Sequence, residues 1–410
     1  MNNNIFVVKF GGSCLSSPET IISAAKKISS EVATGKKIIV VVSALSGVTD
    51  QLISLAEGST KTNISREDLD DIVSMGERTA VRLMTSSLKS LNVKTLGIEP
   101  NSPYWPIFTD SIFGNADVNL KKTSQVVHEK IIPLLDQGWT LVIAGFIGLS
   151  SKGKITTLGR GGSDITAVLL GNCLDAEEVI FVKDVAGVLS ADPKKVSGPQ
   201  KIDQLMVEEA YTLASAGAKI IQPKALTFKK NSTVLRVVGF ESSDLGGGTV
   251  IMGELKTALD AELHDSPLSM ITLIAQNGSL SKISKVLSEV SKLETDLLGL
   301  TVSLTSLLLY VQNPLGLVQS LHEKIKTDGI AKAIHCVDSL AMIVVSGYRL
   351  ESIPGVIDAV VSPLAKANIN LYGVFTISSS IRIFIQWNDR EKALALINYV
   401  LNKFREGEDG

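Results

Sequence analysis

Over the first 255 residues, short apolar runs alternate with longer amphipathic stretches. Residues 5–10 form one such run, interrupted by Lys9 and closed by Phe10, and 37–42 form a second; both read as buried strands. Between them, Ser17 is placed to cap and Pro18 to open a helix over 19–32. Ser65 and Asp68 start a long helix in which Leu69, Ile72, Val73, Gly76, Ala80, Leu83 and Met84 recur at helical spacing. Further strands are predicted at 93–98, 140–146, 178–182 and, last of this part, 232–238. Helices are predicted over 121–135, from 165 onward and over 204–216, and the three glycines at 246–248 read as a flexible exit. Strand and helix in alternation predict an α/β fold with a mainly parallel sheet covered on both faces.

From about Met270 the units shorten and glycine becomes scarcer. Strands are expected at 271–275, as a pair over 297–311, at 341–346, 369–377 and 381–387. Helices are expected over 280–293, 314–326, 354–367 and 390–404. This is a degenerate repeat of a βαββαβ unit of roughly 65–75 residues. It carries no cluster of acids, bases or nucleophiles, and so reads as a regulatory or assembly module.

Polar chemistry gathers where the strands of the first part end. Gly11, Gly12 and Ser13 follow the first strand, and the segment from Ser43 to Thr49 follows the second. Two small, hydroxyl-rich turns at strand ends suggest a shared ligand crevice. An unpaired ammonium is costly in a buried strand, so Lys9 calls for an anionic partner; the alternative is a side chain that reaches solvent. The turn Gly159-Arg160-Gly161-Gly162-Ser163-Asp164 runs into a helix, where free amides and the helix dipole attract anions. The competing reading is a connection capped by Ser163 or Asp164. Taken singly, Glu77 reads as a solvated helix carboxylate. Neither GxxxxGK[ST] nor GxGxxG occurs, so a nucleotide would have to be held by another device.

Composition narrows the classes further. A formal net charge of −2, with 20% charged residues, provides no basic field for nucleic acid. Cys14, Cys173 and Cys336 are too dispersed for a metal pair or a disulfide framework and fit a reducing cytoplasm. No basic, apolar leader is read at the start, and no apolar run reaches the roughly 18 residues of a membrane span. A cytoplasmic protein with no membrane partner is expected.

The segments KFGGSC (9–14), SALSGVTD (43–50), SMGERTA (74–80), GRGGSD (159–164) and KDVAGVLSADPKK (183–195) occur in the order found in aspartokinases, which the chain resembles over about 1–255. Its tail resembles the paired ACT domains of those enzymes. The resemblance implies an amino-acid kinase three-layer αβα sandwich over 1–257, then ferredoxin-like ACT units over 265–335 and 336–410. It implies transfer of the γ-phosphoryl group of ATP to the side-chain carboxylate of L-aspartate, the first step toward lysine, threonine and methionine. A carboxylate with an ordinary pKa of about 3.9 is already nucleophilic at neutral pH. No general base is then needed, and the four histidines lie outside every motif.

By the same resemblance, Lys9, Arg160 and Asp164 carry the chemistry. Phe10, Gly11, Gly12, Lys183, Asp184, Leu189, Lys194, Lys219 and Ile220 would surround ATP. Ser43, Thr49, Glu77, Gly161, Gly162 and Ser163 would join Arg160 around aspartate. Mg2+ is expected to arrive with ATP rather than in a protein cage. A lysine or threonine effector is expected at an ACT interface, with a homodimer or higher assembly. Departures from the family pattern lie mostly on the nucleotide side: Lys183 stands for the usual Thr, Leu189 for an aromatic residue, Lys194 for Arg and Cys14 for a hydroxyl residue. Ala80 stands where serine is common, and Ser378, Ser379 and Ser380 lack the acidic residue that often follows. Two other classes stay open: a kinase with another acceptor (acetylglutamate, glutamate or a nucleoside monophosphate) and an inactive amino-acid sensor. The tail could also serve only to cement a dimer.

Overall fold

The computed structural model describes residues 4–60, 63–255, 259–274, 280–312, 314–347, 350, 354–377 and 380–408. Two units emerge, Met1–Leu255 and Lys256–Gly410. The first opens with β1 (Ile5–Phe10), α1 (Pro18–Ala33) and β2 (Lys37–Val42). In α1, Ser17 caps and Pro18 takes the first helical position, as their order in the chain implies, and Thr20 completes a reciprocal capping box with Ser17. There follow α2 (Val48–Gly58), α3 (Arg66–Ser90), β3 (Thr95–Ile98) and β4 (Phe108–Thr109). A helical stretch then runs through α4 (Leu120–Val126), a π-turn and α5 (Ile132–Asp136) to β5 (Thr140–Ala144), β6 (Ile147–Ser150) and β7 (Ile155–Thr157). After α6 (Gly162–Cys173) and β8 (Glu178–Lys183) come β9 (Gln204–Met206), α7 (Val207–Ser215), α8 (Pro223–Leu226), β10 (Val234–Gly239) and β11 (Thr249–Met252).

Eight strands form one sheet in the order β3-β5-β2-β1-β8-β10-β11-β9, parallel throughout except for β10 with β11. Every residue of β1 and β5 is buried, as expected of strands covered on both faces. Chain order diverges on either side of β1, toward β2 on one side and β8 on the other. A crevice opens at such a point beyond the carboxyl ends of the strands. All twelve residues of α6 are buried, and the helix packs across β1, β2 and β8.

Several expectations need correction. The helix predicted over 204–216 begins with strand β9, whose Gln-Leu-Met is held by parallel pairing with β11. The three glycines at 246–248 turn the chain tightly into β11, so β10 is not the last strand. The strand predicted over 140–146 ends at Ala144, and Phe146 sits at φ 67°. The polar stretch after it folds as a hairpin, β6–β7, joined by β4 in a small separate sheet.

The second unit contains β12 (Asp260–Leu263), β13 (Leu268–Ile274), α9 (Leu280–Lys292), β14 (Leu297–Val302), β15 (Ser306–Gln312) and α10 (Leu317–Asp328). It continues with β16 (Ala333–Ser346), α11 (Val356–Lys366), β17 (Leu371–Ile377), β18 (Ser380–Gln386) and α12 (Arg390–Glu408). The βαββαβ repeat is present but interlocked. The first half of β16 closes the first repeat against β13, and its second half opens the next against β18. The remaining edge of that second half is taken by β12, which was not expected as a strand and precedes the whole first repeat. Each repeat buries alternate strand residues under its own helices. The opposite faces share a third core, in which Tyr310 meets Phe375 and Phe384 with ring centroids 5.3 and 4.1 Å apart. Tyr310 Oη donates to the Tyr372 carbonyl at 2.6 Å, which satisfies the hydroxyl of this buried ring. Ser378 and Ser379 lie outside the described residues, and Ser380 begins β18.

Candidate active site

Lys9 is the only charged residue of β1 and is 6% exposed. Its Nζ lies 2.7 Å from Oδ1 of Asp164, itself 4% exposed in the first turn of α6. The anionic partner required by a buried lysine is therefore supplied from within the chain. Asp164 Oδ2 accepts a bond from the Gln222 amide at 3.1 Å and lies 3.8 Å from Lys183 Nζ at the end of β8. Burial would raise the Asp164 carboxyl, but the charges of Lys9 and Lys183 outweigh it and hold the group below the usual carboxylate range.

The helix start does not use Ser163 or Asp164 as its cap. Gly161 takes that position at φ 74°, and no side chain caps the amides. A Cβ at Gly161 would collide with the Gln222 side chain, so glycine is needed both for the dihedral and for the approach of 220–222. Asp164 is thereby freed from capping to meet the two lysines. Ser163 packs on Gly145, and Gly162 on Phe146.

Glu77 forms the other side of the crevice. It is 4% exposed, so the reading as a solvated carboxylate falls. Its Oε1 accepts the Ala44 amide at 3.1 Å, while its buried Oε2 has no hydrogen-bond partner among the described residues. A Cβ at Gly76 would come within 2.7 Å of Ala44 Cβ, so glycine there lets α3 approach the turn after β2 closely enough for this bond. Burial pushes the Glu77 carboxyl up to about 7, although the Ala44 amide and the Lys9 charge oppose it. Ser43 is half-buried, with its amide on the Phe10 carbonyl at 3.3 Å, and Thr49 is half-buried in the first turn of α2. Gly11 and Gly12 join β1 to a short 3₁₀ turn, and Phe10 is fully buried beneath them.

The remaining residues from the resemblance are not drawn into this buried cluster. Arg160, Asp184, Lys194 and Lys219 are exposed. The Lys194 amide closes an Asx turn on Asp192 at 2.9 Å. Leu189 is half-buried and bridges to Lys201, while Ile220 is buried with its amide on the Ala218 carbonyl at 2.9 Å. Cys14, in place of a hydroxyl residue, directs its thiol at the Val182 carbonyl.

Comparison with known proteins bears on this geometry. The amino acid kinase family model matches residues 4–239, and an ACT domain model matches 335–398. The aspartate kinase of Pseudomonas putida is 31% identical over 96% of this chain and 95% of its own. The chain belongs to the aspartokinase family. Aspartate kinase activity with ATP as donor comes with that membership, as do ACT domains at the carboxyl end. The aspartokinase of Pseudomonas aeruginosa is 30% identical, with 96% of each chain covered. Aspartate kinase from Synechocystis superposes at a TM-score of 0.78 and 24% identity, over 97% of this chain and 69% of that one. E. coli aspartokinase III with aspartate and ADP gives 0.56 and 23%, over 97% and 99%. At these identities the two structures speak for the fold.

In this aspartokinase, two supporting residues escaped the sequence reading. Asp70 on α3 is buried and accepts the amides of Gly114 and Thr157, each at 2.9 Å, and the Thr157 hydroxyl at 2.8 Å. It thus pins the strand that leads into the glycine turn, yet in sequence it is one more polar helix position. Gln222, which holds Asp164, acts through its backbone and leaves no signal of residue type. Among the described residues, no helix is long and apolar enough to cross a membrane.

Proposed function

We propose that this enzyme transfers the γ-phosphoryl group of ATP, supplied as its Mg2+ complex, to the side-chain carboxylate of L-aspartate, giving 4-phospho-L-aspartate and ADP. The observation that carries the reading is the pairing of two buried features at one strand edge. The Lys9–Asp164 ion pair presents a fixed cation, and Glu77 presents a carboxylate oxygen with no hydrogen-bond partner among the described residues. The first suits phosphoryl oxygens and the second an ammonium group, as an amino-acid kinase requires.

In this reading a carboxylate oxygen of aspartate attacks the γ-phosphorus as the bond to the ADP oxygen breaks, and no proton moves. Lys9 stabilises the transferring oxygens, Asp164 holds Lys9 in place, and the amides of Gly11 and Gly12 face the phosphates. Glu77 receives the substrate ammonium, and Arg160, exposed at the glycine turn, closes on the α-carboxylate. Thr49, Ser43, Gly161, Gly162 and Ser163 complete the aspartate side. Asp184, Leu189, Lys194, Lys219 and Ile220 border the nucleotide. The fit rests on cations and amides that match a polyphosphate. The ACT units bind an amino-acid end product, lysine first and threonine second, between copies of a cytoplasmic homodimer or higher assembly. The product would feed the aspartate-family pathway.

The test is ADP release by the purified full chain with MgATP and L-aspartate, against acetylglutamate, glutamate and nucleoside monophosphates, repeated with lysine, threonine and methionine. Aspartate-dependent turnover is expected. Turnover with another acceptor alone, or with none, overturns the reading. Failure of every added amino acid to bind or inhibit at millimolar concentration overturns the regulatory part.

A further inference from the structure

Lys183 sits at the position where the aspartokinase pattern noted above has a threonine, and the structure gives it a definite place. In the parallel register of β1 and β8, Lys9 lies opposite Phe181, and Lys183 follows two residues later. Side chains two apart on a strand leave the same face, so both lysines project toward the side covered by α6. There they share one carboxylate: Asp164 Oδ1 stands 2.7 Å from Lys9, and Oδ2 stands 3.8 Å from Lys183. Two ammonium groups thus share one buried carboxylate at the strand edge, and the further negative charge acting on Lys183, that of Asp184, is exposed.

Lys183 is the less satisfied of the two. At 3.8 Å its contact is electrostatic, beyond hydrogen-bond reach. No other acceptor meets its Nζ among the described residues, and its side chain is 19% exposed at the crevice. Burial and the neighbouring Lys9 both disfavour its charged form, with Asp164 opposing them. A group so placed costs stability in the empty protein unless an anion arrives. The alternative is a structural salt bridge, but Asp164 is already engaged by Lys9 and the Gln222 amide, which leaves Lys183 the looser of its two ion pairs.

We propose that Lys183 is a second phosphate-binding cation of this site, resting beside Asp164 when the site is empty and turning to the nucleotide's phosphate oxygens when it fills. The proposal rests on the phosphoryl-transfer reading above and adds a charge to it. Three ammonium donors would replace the hydroxyl usual at this position, setting Lys183 beside Lys9 at the same strand edge.

The experiment compares the full chain with Lys183→Met and Lys183→Arg. MgADP binding by calorimetry, kcat and KM with MgATP and aspartate, and thermal unfolding without ligand are measured for each. Lys183→Met should bind MgADP about tenfold more weakly and lose roughly a hundredfold in kcat, while its Tm stays level or rises. Lys183→Arg should recover most of the binding. A structural role predicts the reverse: a lower Tm with MgADP affinity unchanged, and that result overturns the proposal. Wild-type aspartate turnover with an equally active, equally tight-binding Lys183→Met overturns it while sparing the function. Absent aspartate turnover, with MgADP binding still weakened in Lys183→Met, sinks the function and sustains the second cation.

Discussion

Replacing Glu77 by Gln should stabilise this aspartokinase at alkaline pH while impairing its use of aspartate. Glu77 is 4% exposed, keeps one bond from the Ala44 amide and leaves Oε2 without a hydrogen-bond partner among the described residues. Its pKa is raised from the ordinary 4.5 to about 7, chiefly by burial. That displacement corresponds to roughly 3 kcal/mol against the ionised form. Between these two values the folded chain holds a proton that the unfolded chain has released, so stability falls as pH rises through this window. Above pH 7 the whole cost is present, and below about 4.5 it is absent. Glu77→Gln mimics the protonated group at every pH. Urea unfolding at pH 8 should therefore favour the variant by up to roughly 3 kcal/mol, and the advantage should shrink steadily toward pH 5. An ammonium docked at Oε2 would restore the charged form, so the wild-type KM for aspartate should rise about tenfold per pH unit below 7. A variant less stable than wild type at pH 8, or a Glu77 carboxyl that titrates near 4.5 by carbon-13 NMR, would refute this reasoning.

Other outcomes follow from the same geometry. Lys9→Ala should lower kcat by roughly a hundredfold or more in a protein that still folds, and near-normal turnover would remove Lys9 from the chemistry. Arg160→Ala should raise the KM for aspartate while leaving MgADP affinity unchanged, because Arg160 is exposed and apart from the Lys9–Asp164 pair; calorimetry showing equal losses for both ligands would contradict it. Tyr310→Ala, which opens the aromatic layer shared by the two ACT repeats, should cost about 3–5 kcal/mol in denaturant unfolding of the tail. A loss below 1 kcal/mol would mean that this layer contributes little.

What could be read in the chain, and what could not, divides along a physical line. Local signals were sufficient where they act locally: Ser17 and Pro18 marked the start of α1, and apolar runs marked β1, β2 and β8. The cost of burying an ammonium foretold that Lys9 needs an anion but not that Asp164 would supply it, because that pairing is made by the crossover of α6 over the sheet. Glu77 was misjudged in isolation, since its burial depends on Gly76 letting α3 reach Ala44. The short strands at 204–206 and 260–263 have little intrinsic preference and exist because a partner strand accepts their hydrogen bonds. The contacts of Asp70 and Gln222 depend on tertiary placement, which no periodicity encodes.

The position of β12 also has a consequence for how the chain is made. Ala261 pairs with Val345, so a strand synthesised early waits roughly eighty residues for its partner. At about 5–20 residues per second, that is several seconds during which its edge stays unpaired on the ribosome. The first repeat can close meanwhile, because all its strands up to the first half of β16 lie in between. The second repeat must then assemble around a finished neighbour, and its closing contacts have high sequence separation. A chain truncated inside α11 would leave β12 and the second half of β16 without the cover of α11 and α12. Such a product would expose a two-stranded apolar surface, a ready target for proteolysis or aggregation, even though the kinase unit upstream was complete.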